Sequence, residues 1–271
     1  MNDFTELTPA LLLALAGCAI AAGLAGGLFG IGGGVVLVPL LTVMLDVPIR
    51  LAVAASLATA AAISVSASAV YLRQGYTDLR LATLLEVAGA AGALVGFVAG
   101  SLVAPQVLYL LFAGALTYAA VAMLRHRDMG TESAGSNNAN NGARLTAGRI
   151  SAGLGGAMAG GTASGMLGIG GGVIYVPVLR VLMAAPLRTA IGTSALIVGL
   201  TAATGALAYC HSGELNAVVA GPCVLFAMLG AQAASRLSAR IATRWLNWAF
   251  ILLLLYFAVR MILQGLQNGT P

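Results

Sequence analysis

The chain has 271 residues, of which 60% are hydrophobic and only 8% charged, and its mean hydropathy is +0.98. Soluble domains carry about 25% charged residues, so this composition excludes a soluble globular fold and points to a polytopic membrane protein. The net charge is +5 and the isoelectric point near 9.5, but all 13 basic residues are arginines and they gather at the ends of apolar runs, a pattern of membrane topology rather than of nucleic-acid binding.

In chain order, residues 1–8 carry Asp3 and Glu6 and no basic residue, so no cleavable leader is expected. Pro9 to Gly30 is an apolar run long enough to span a bilayer. Val35 to Leu45 is too short to cross about 30 Å of hydrocarbon at about 1.5 Å per residue; it either extends through the preceding glycines or is a half-helix. Leu51 to Leu72, Leu79 to Val103 and Val107 to Leu124 each read as spans. Residues 126–148 are polar, with the run Ser136-Asn137-Asn138-Ala139-Asn140-Asn141-Gly142, and read as a flexible linker between a first unit, 1–125, and a second, 149–271. The second unit repeats the order: Ile150 to Gly168, Val173 to Met183, Thr189 to Tyr209, Leu215 to Ser235 and Trp245 to Leu263.

The two units are copies. Gly26-Gly27-Leu28-Phe29-Gly30-Ile31-Gly32-Gly33-Gly34-Val35-Val36-Leu37-Val38-Pro39 returns as Ser164-Gly165-Met166-Leu167-Gly168-Ile169-Gly170-Gly171-Gly172-Val173-Ile174-Tyr175-Val176-Pro177, at a constant offset of 138 residues. The same offset pairs Pro48 with Pro186, Arg50 with Arg188, Ser56 with Ser194, Tyr71 with Tyr209 and Gly75 with Gly213. Consecutive glycines break a helix, and broken backbone at membrane depth is tolerated only where protein buries it or a wet cavity meets it. The helix start that follows such a break presents free N–H groups and a positive dipole end, a site suited to an anion. Matching Gly/Pro-interrupted segments in two halves are the best sequence pointer to a transporter's binding site.

Arginine placement sets an orientation. Arg73 and Arg80, then Arg125, Arg127, Arg144 and Arg149, then Arg236, Arg240 and Arg244 mark three cytoplasmic regions; the N-terminus and the loops near Pro105 and His211 are expected outside. About five segments per half then turn the second half over. The expected fold is all-α, with two repeats of inverted topology and about eight to ten membrane-crossing helices in the cell (inner) membrane.

The doubled G-x-x-G-I-G-G-G-x-x-x-V-P motif, each copy followed by Pro-x-Arg and a serine-containing helix, resembles the sulfite exporter TauE/SafE family of membrane permeases across nearly the whole chain apart from the linker. The resemblance implies transport of small sulfur-containing anions such as sulfite, thiosulfate or organosulfonates. It does not imply enzymatic activity or an organic or metal cofactor. The expected partners are the anion, coupled protons and the lipid bilayer, with no nucleic acid.

The candidate substrate-binding residues are Gly30, Gly32, Gly33 and Gly34 and their mates Gly168, Gly170, Gly171 and Gly172, with Ser56, Ser194, Thr193, Arg50 and Arg188 assisting. Each has a plainer reading. Glycine permits close helix packing, to which Gly23 and Gly27 at a four-residue spacing also belong. Serine and threonine hydroxyls bond back to their own helix. The arginines anchor at the interface. Glu86 is the acidic residue well inside a span and the candidate for proton coupling, unless it pairs with Arg80 or Arg73. Cys18, Cys210 and Cys223 form no C-x-x-C and read as small apolar fillers. Two other functions stay open on the residues alone: a passive anion channel, and an intramembrane serine protease built on Thr162-Ala163-Ser164-Gly165 with His211 as base.

Overall fold

A computed structural model describes residues 8–30, 32–126, 147–183, 185–237 and 243–267. The expected linker lies almost wholly outside the described residues. Among those described, all regular structure is helical: α1 (Pro9–Phe29), α2 (Gly34–Pro39), α3 (Ile49–Arg73), α4 (Leu79–Leu102), α5 (Pro105–His126), α6 (Ala147–Leu167), α7 (Gly172–Pro177), α8 (Leu187–His211), α9 (Ala217–Leu237) and α10 (Thr243–Gln267). Five of them, α1, α3, α4, α8 and α9, contain stretches that are both long and apolar enough to cross a membrane, while α5, α6 and α10 match them in length at 22, 21 and 25 residues. Large apolar side chains face outward along these helices. Val87 is 75% exposed and Leu102 81%, a surface that hydrocarbon rather than water would cover.

Local chemistry sets the helix starts. Thr8 caps α1 by accepting from the Leu11 N–H, with Pro9 in the first turn. Asp78 caps α4 by accepting from the Arg80 and Leu81 N–H groups. At the matching place Asn216 accepts from Val218 and starts α9.

The short segments differ from the expected regular half-helix. After six α-helical residues each widens into a π-helical turn, Leu40–Met44 and Val178–Leu182. The cause is the proline at the junction, Pro39 or Pro177, which lacks an N–H and would crowd the carbonyl four residues back. In the second copy the Met183 N–H reaches back five residues to Val178 O.

The helices pair in a reciprocal pattern: α4 packs on α6 as α9 packs on α1, while α3 packs on α8 and α5 on α10. The α4–α6 pair is parallel, since Gly89 meets Gly161 and Gly100 meets Met166. The α1–α9 pair is also parallel, with Gly23 against Ala227 and Gly27 against Ala231. In both pairs small residues bring backbones together, which is how helices associate where lipid removes the hydrophobic drive. The matching helices α3 and α8 run in opposite directions. Arg50 at the start of α3 meets Glu214 beyond the end of α8, and Arg188 at the start of α8 meets Tyr76 beyond the end of α3. Gly265 near the end of α10 likewise meets Gln106 and Tyr109 near the start of α5.

Candidate functional site

Both glycine motifs break the chain in the same way. Gly30, Gly32 and Gly33 take φ of 66°, 79° and 73°, and Gly168, Gly170 and Gly171 take 71°, 82° and 73°. These are left-handed angles that a Cβ penalises. Gly34 and Gly172, the last of each triple, already belong to the next helix. The reason for glycine at position 34 is therefore space: a Cβ there would run into the Gly168 carbonyl of the other repeat.

The two breaks meet. A Cβ on Gly32 would stand 3.7 Å from the Gly170 Cα, with Ala60 of α3 and Val198 of α8 on either side. All eight candidate glycines are buried. Ser56 and Ser194 hold this junction from opposite sides. The Ser56 hydroxyl is directed at Gly168 O (2.9 Å) and at Val53 O in its own helix (2.8 Å). The Ser194 hydroxyl is directed at Gly30 O (3.2 Å) and at Ile191 O (2.9 Å). Each serine's single hydroxyl proton is thus shared between a carbonyl freed by the break in the other repeat and one in its own helix. Tyr71 adds a third tie in the first repeat, its hydroxyl donating to Gly27 O at 2.8 Å.

The other candidates lie farther out. Thr193 is turned toward the α3–α4 loop, where its Oγ1 accepts from the Asp78 N–H at 2.9 Å. Arg50 donates to Ser101 O and Val103 O at the C-terminal end of α4, both at 3.1 Å, and its guanidinium stands 3.7 Å from Glu214. Arg188 donates to the Tyr76 hydroxyl at 3.0 Å and lies over that ring, 5.4 Å from its centroid. Glu214 and Tyr76 are themselves mates at the 138-residue offset, so the repeats make one contact with two chemistries, an ion pair at one end and a cation–π pair at the other. Glu86 lies in α4 with Oε2 buried and unpartnered, and among the described residues it forms no ion pair with Arg73 or Arg80.

A cavity of about 410 Å³ opens beside the second break, lined by Gly114, Ala115 and Tyr118 of α5, Ala163 of α6, and Ile169, Gly171, Val173 and Ile174. Tyr175 was not a sequence candidate. Its ring is fully buried against Gly160 and Gly171, and its hydroxyl bonds Thr201 Oγ1 at 3.3 Å. Comparing the copies for polar residues set opposite apolar ones would have found it, because its mate is Leu37.

The family described as Sulfite exporter TauE/SafE matches residues 15–261. The chain is 29% identical over 246 residues to a "Probable membrane transporter protein" of Xylella fastidiosa (strain Temecula1 / ATCC 700964), covering 89% of this chain and 90% of that one. It is 23% identical over 263 residues to the "Probable membrane transporter protein YunE" of Bacillus subtilis (strain 168), covering 90% and 95%. No solved structure matches the chain.

Proposed function

Because the chain belongs to the sulfite exporter TauE/SafE family and is therefore a multi-pass membrane transporter, we propose that it is a secondary-active carrier of small sulfur-containing anions working by alternating access. The observation that carries this reading is the meeting of two glycine-broken segments at one buried point, each followed by a helix start. Helix starts favour anions, and glycine lets an oxyanion approach the backbone closely. The breaks are packed shut against each other here. That supports a carrier that opens to one side at a time over a standing pore. The sulfur anion follows from the family description; the relatives' names go no further than membrane transporter.

In this reading the anion enters when α3 and α8 separate. Backbone N–H groups around Gly30 to Gly34 and Gly168 to Gly172 receive its oxygens, and the Ser56 and Ser194 hydroxyls transfer to it from Gly168 O and Gly30 O. Arg50 and Arg188 draw the anion in and latch the two ends of the α3–α8 pair. The opposed directions of α3 and α8 support repeats of inverted topology in the cell inner membrane, with the N-terminus outside and the linker cytoplasmic.

Flux into proteoliposomes tests the proposal with sulfite, thiosulfate, a small organosulfonate, sulfate and formate, each with and without a pH gradient. Saturable movement of one sulfur anion is the expected result. Movement of formate alone would remove the sulfur assignment, movement of sulfate alone would replace sulfite, thiosulfate and organosulfonate as the substrate, and unsaturable, gradient-independent conductance would replace the carrier with a channel.

A further inference from the structure

The pseudo-symmetry fails around the second break in a way that bears on charge. Around the second break stand four polar residues: Ser164 in the last turn of α6, Tyr175 in α7, Thr201 in α8 and Glu86 in α4. At the 138-residue offset their mates are Gly26, Leu37, Ile63 and Val224, none of which carries a polar side-chain group. Ser56 and Ser194, Tyr71 and Tyr209, and the positive-φ glycines correspond, while along α3 the copies differ in the opposite sense, with buried Thr59, Ser64 and Ser68 set against Ile197, Ala202 and Ala206. What sets the second break apart is that its differences bring a carboxyl group and a phenol hydroxyl, Glu86 and Tyr175, to one stretch of α4.

These residues are placed to interact. Gly89 lies three residues after Glu86, one turn along the same face of α4. A Cβ on Gly89 would lie 2.9 Å from the Tyr175 hydroxyl and 2.8 Å from Thr201 Oγ1. The Tyr175–Thr201 pair therefore faces α4 within one turn of the carboxyl group. Tyr175 and Thr201 have no solvent exposure, and Ser164 is equally buried with its hydroxyl unpartnered. One carboxyl oxygen of Glu86 is buried without a partner as well. An ionisable group left so inside a membrane is costly and marks function.

The other charged or titratable groups on the packed elements lie elsewhere. Arg149, at the start of α6, donates to Leu182 O. Arg180 sits in the π turn after α7. Arg188, Cys210 and His211 stand at the two ends of α8. Tyr209 meets α4 at Phe97 and Gly100, toward its far end. Tyr175 is the titratable side chain that meets α4 beside Glu86.

We propose that the second glycine break alone carries the coupling site of this transporter, with Glu86 binding the proton that moves with each transport cycle and the Tyr175 hydroxyl, anchored on Thr201, positioning the carboxyl group. This deepens the carrier reading and rests on it. The division of labour follows from the residues: the first break is a structural counterpart, and the second senses protonation and passes it to the neighbouring anion site through Tyr175, whose ring packs on Gly171.

The test uses the full chain in proteoliposomes with sulfite as probe, read two ways: accumulation driven by a pH gradient, and sulfite–sulfite exchange at equal pH. The wild type is expected to do both. Glu86→Gln should lose gradient-driven accumulation and keep exchange. Tyr175→Phe and Thr201→Val should keep exchange and displace the midpoint of the flux-against-pH profile, a readout that a purely packing role would leave in place. The two variants remove the hydroxyl from different helices, so the failure of one to fold leaves the other to decide. If Glu86→Gln accumulates sulfite like the wild type, or if both hydroxyl variants keep the wild-type pH profile, the proposal is overturned while the carrier reading stands. A wild type that accumulates and exchanges no sulfite, thiosulfate or organosulfonate overturns the carrier reading and this proposal with it.

Discussion

The hydroxyl of Ser56 lies 2.9 Å from the carbonyl oxygen of Gly168, 112 residues away, and the mate of each residue makes the same contact in reverse, Ser194 to Gly30 at 3.2 Å. One polar lock is thus built twice, and each repeat closes the break of the other. The locks matter because a carbonyl released by a helix break has no water to turn to at this depth.

Removing a lock should therefore destabilise more than an ordinary serine substitution would. Ser56→Ala leaves the Gly168 carbonyl without its cross-repeat donor at a cost of about 1–3 kcal/mol. Ser194→Ala should behave alike, with a smaller effect because its bond is longer. Thermal unfolding in detergent measures both. Thr204→Val is the control, since that hydroxyl only bonds back to Leu200 O in its own helix.

The glycines of the break divide into two kinds. At Gly171 a side chain meets a left-handed φ of 73° and the Tyr175 ring, so Gly171→Leu should abolish flux while the protein still reaches the membrane. At Gly34 the backbone is ordinary helix and only the Gly168 carbonyl objects. Gly34→Ala should therefore push the breaks apart and reduce flux through lost contact rather than backbone strain. Sulfite flux together with quantified membrane protein checks both, and unaltered flux in either variant would remove that glycine from the site.

Sidedness can be read with a native probe. Cys210 is exposed at the end of α8, whereas Cys18 and Cys223 are buried. An impermeant maleimide added to intact cells should label Cys210 if the His211 loop lies outside. Arg50→Gln, which removes the ion pair to Glu214 and the donors to Ser101 O and Val103 O, should raise the labelling rate by freeing that loop. Labelling only after permeabilisation would invert the proposed orientation.

The α4–α6 contact offers a packing test. A Cβ on Gly161 would strike the Gly89 carbonyl, whereas one on Gly155, in the same helix, meets nothing within 4 Å. Gly161→Val should cost about 1–3 kcal/mol or more through forced separation of the two helices. Gly155→Val should be close to neutral. Unfolding midpoints in detergent distinguish them.

Much of the fold was legible in the residues. The expected segments and the observed helices agree within a few residues because hydropathy, proline at helix starts and glycine at helix ends are local signals. The widening of the short segments into π turns was not anticipated, although Pro39 and Pro177 were in view; the adjustment that a proline forces depends on the packing around it. Of the candidate residues, the breaks and Ser56 and Ser194 come together, while Thr193 turns toward the α3–α4 loop and Arg50 and Arg188 lie at the helix starts. Spacing along one helix could not separate these groups, because each side chain's partner sits in the other repeat.

The sequence by itself determined that this is a helical membrane protein made of two copies, each broken at the same glycines, because composition, periodicity and duplication are properties of the chain alone. Only the tertiary structure decided that the breaks face each other, that each serine serves the opposite repeat, and that Tyr175 and Thr201 reach α4 beside Glu86. Those relationships join residues far apart in sequence, and they arise from close backbone packing and from the need to pair polar groups where no water can.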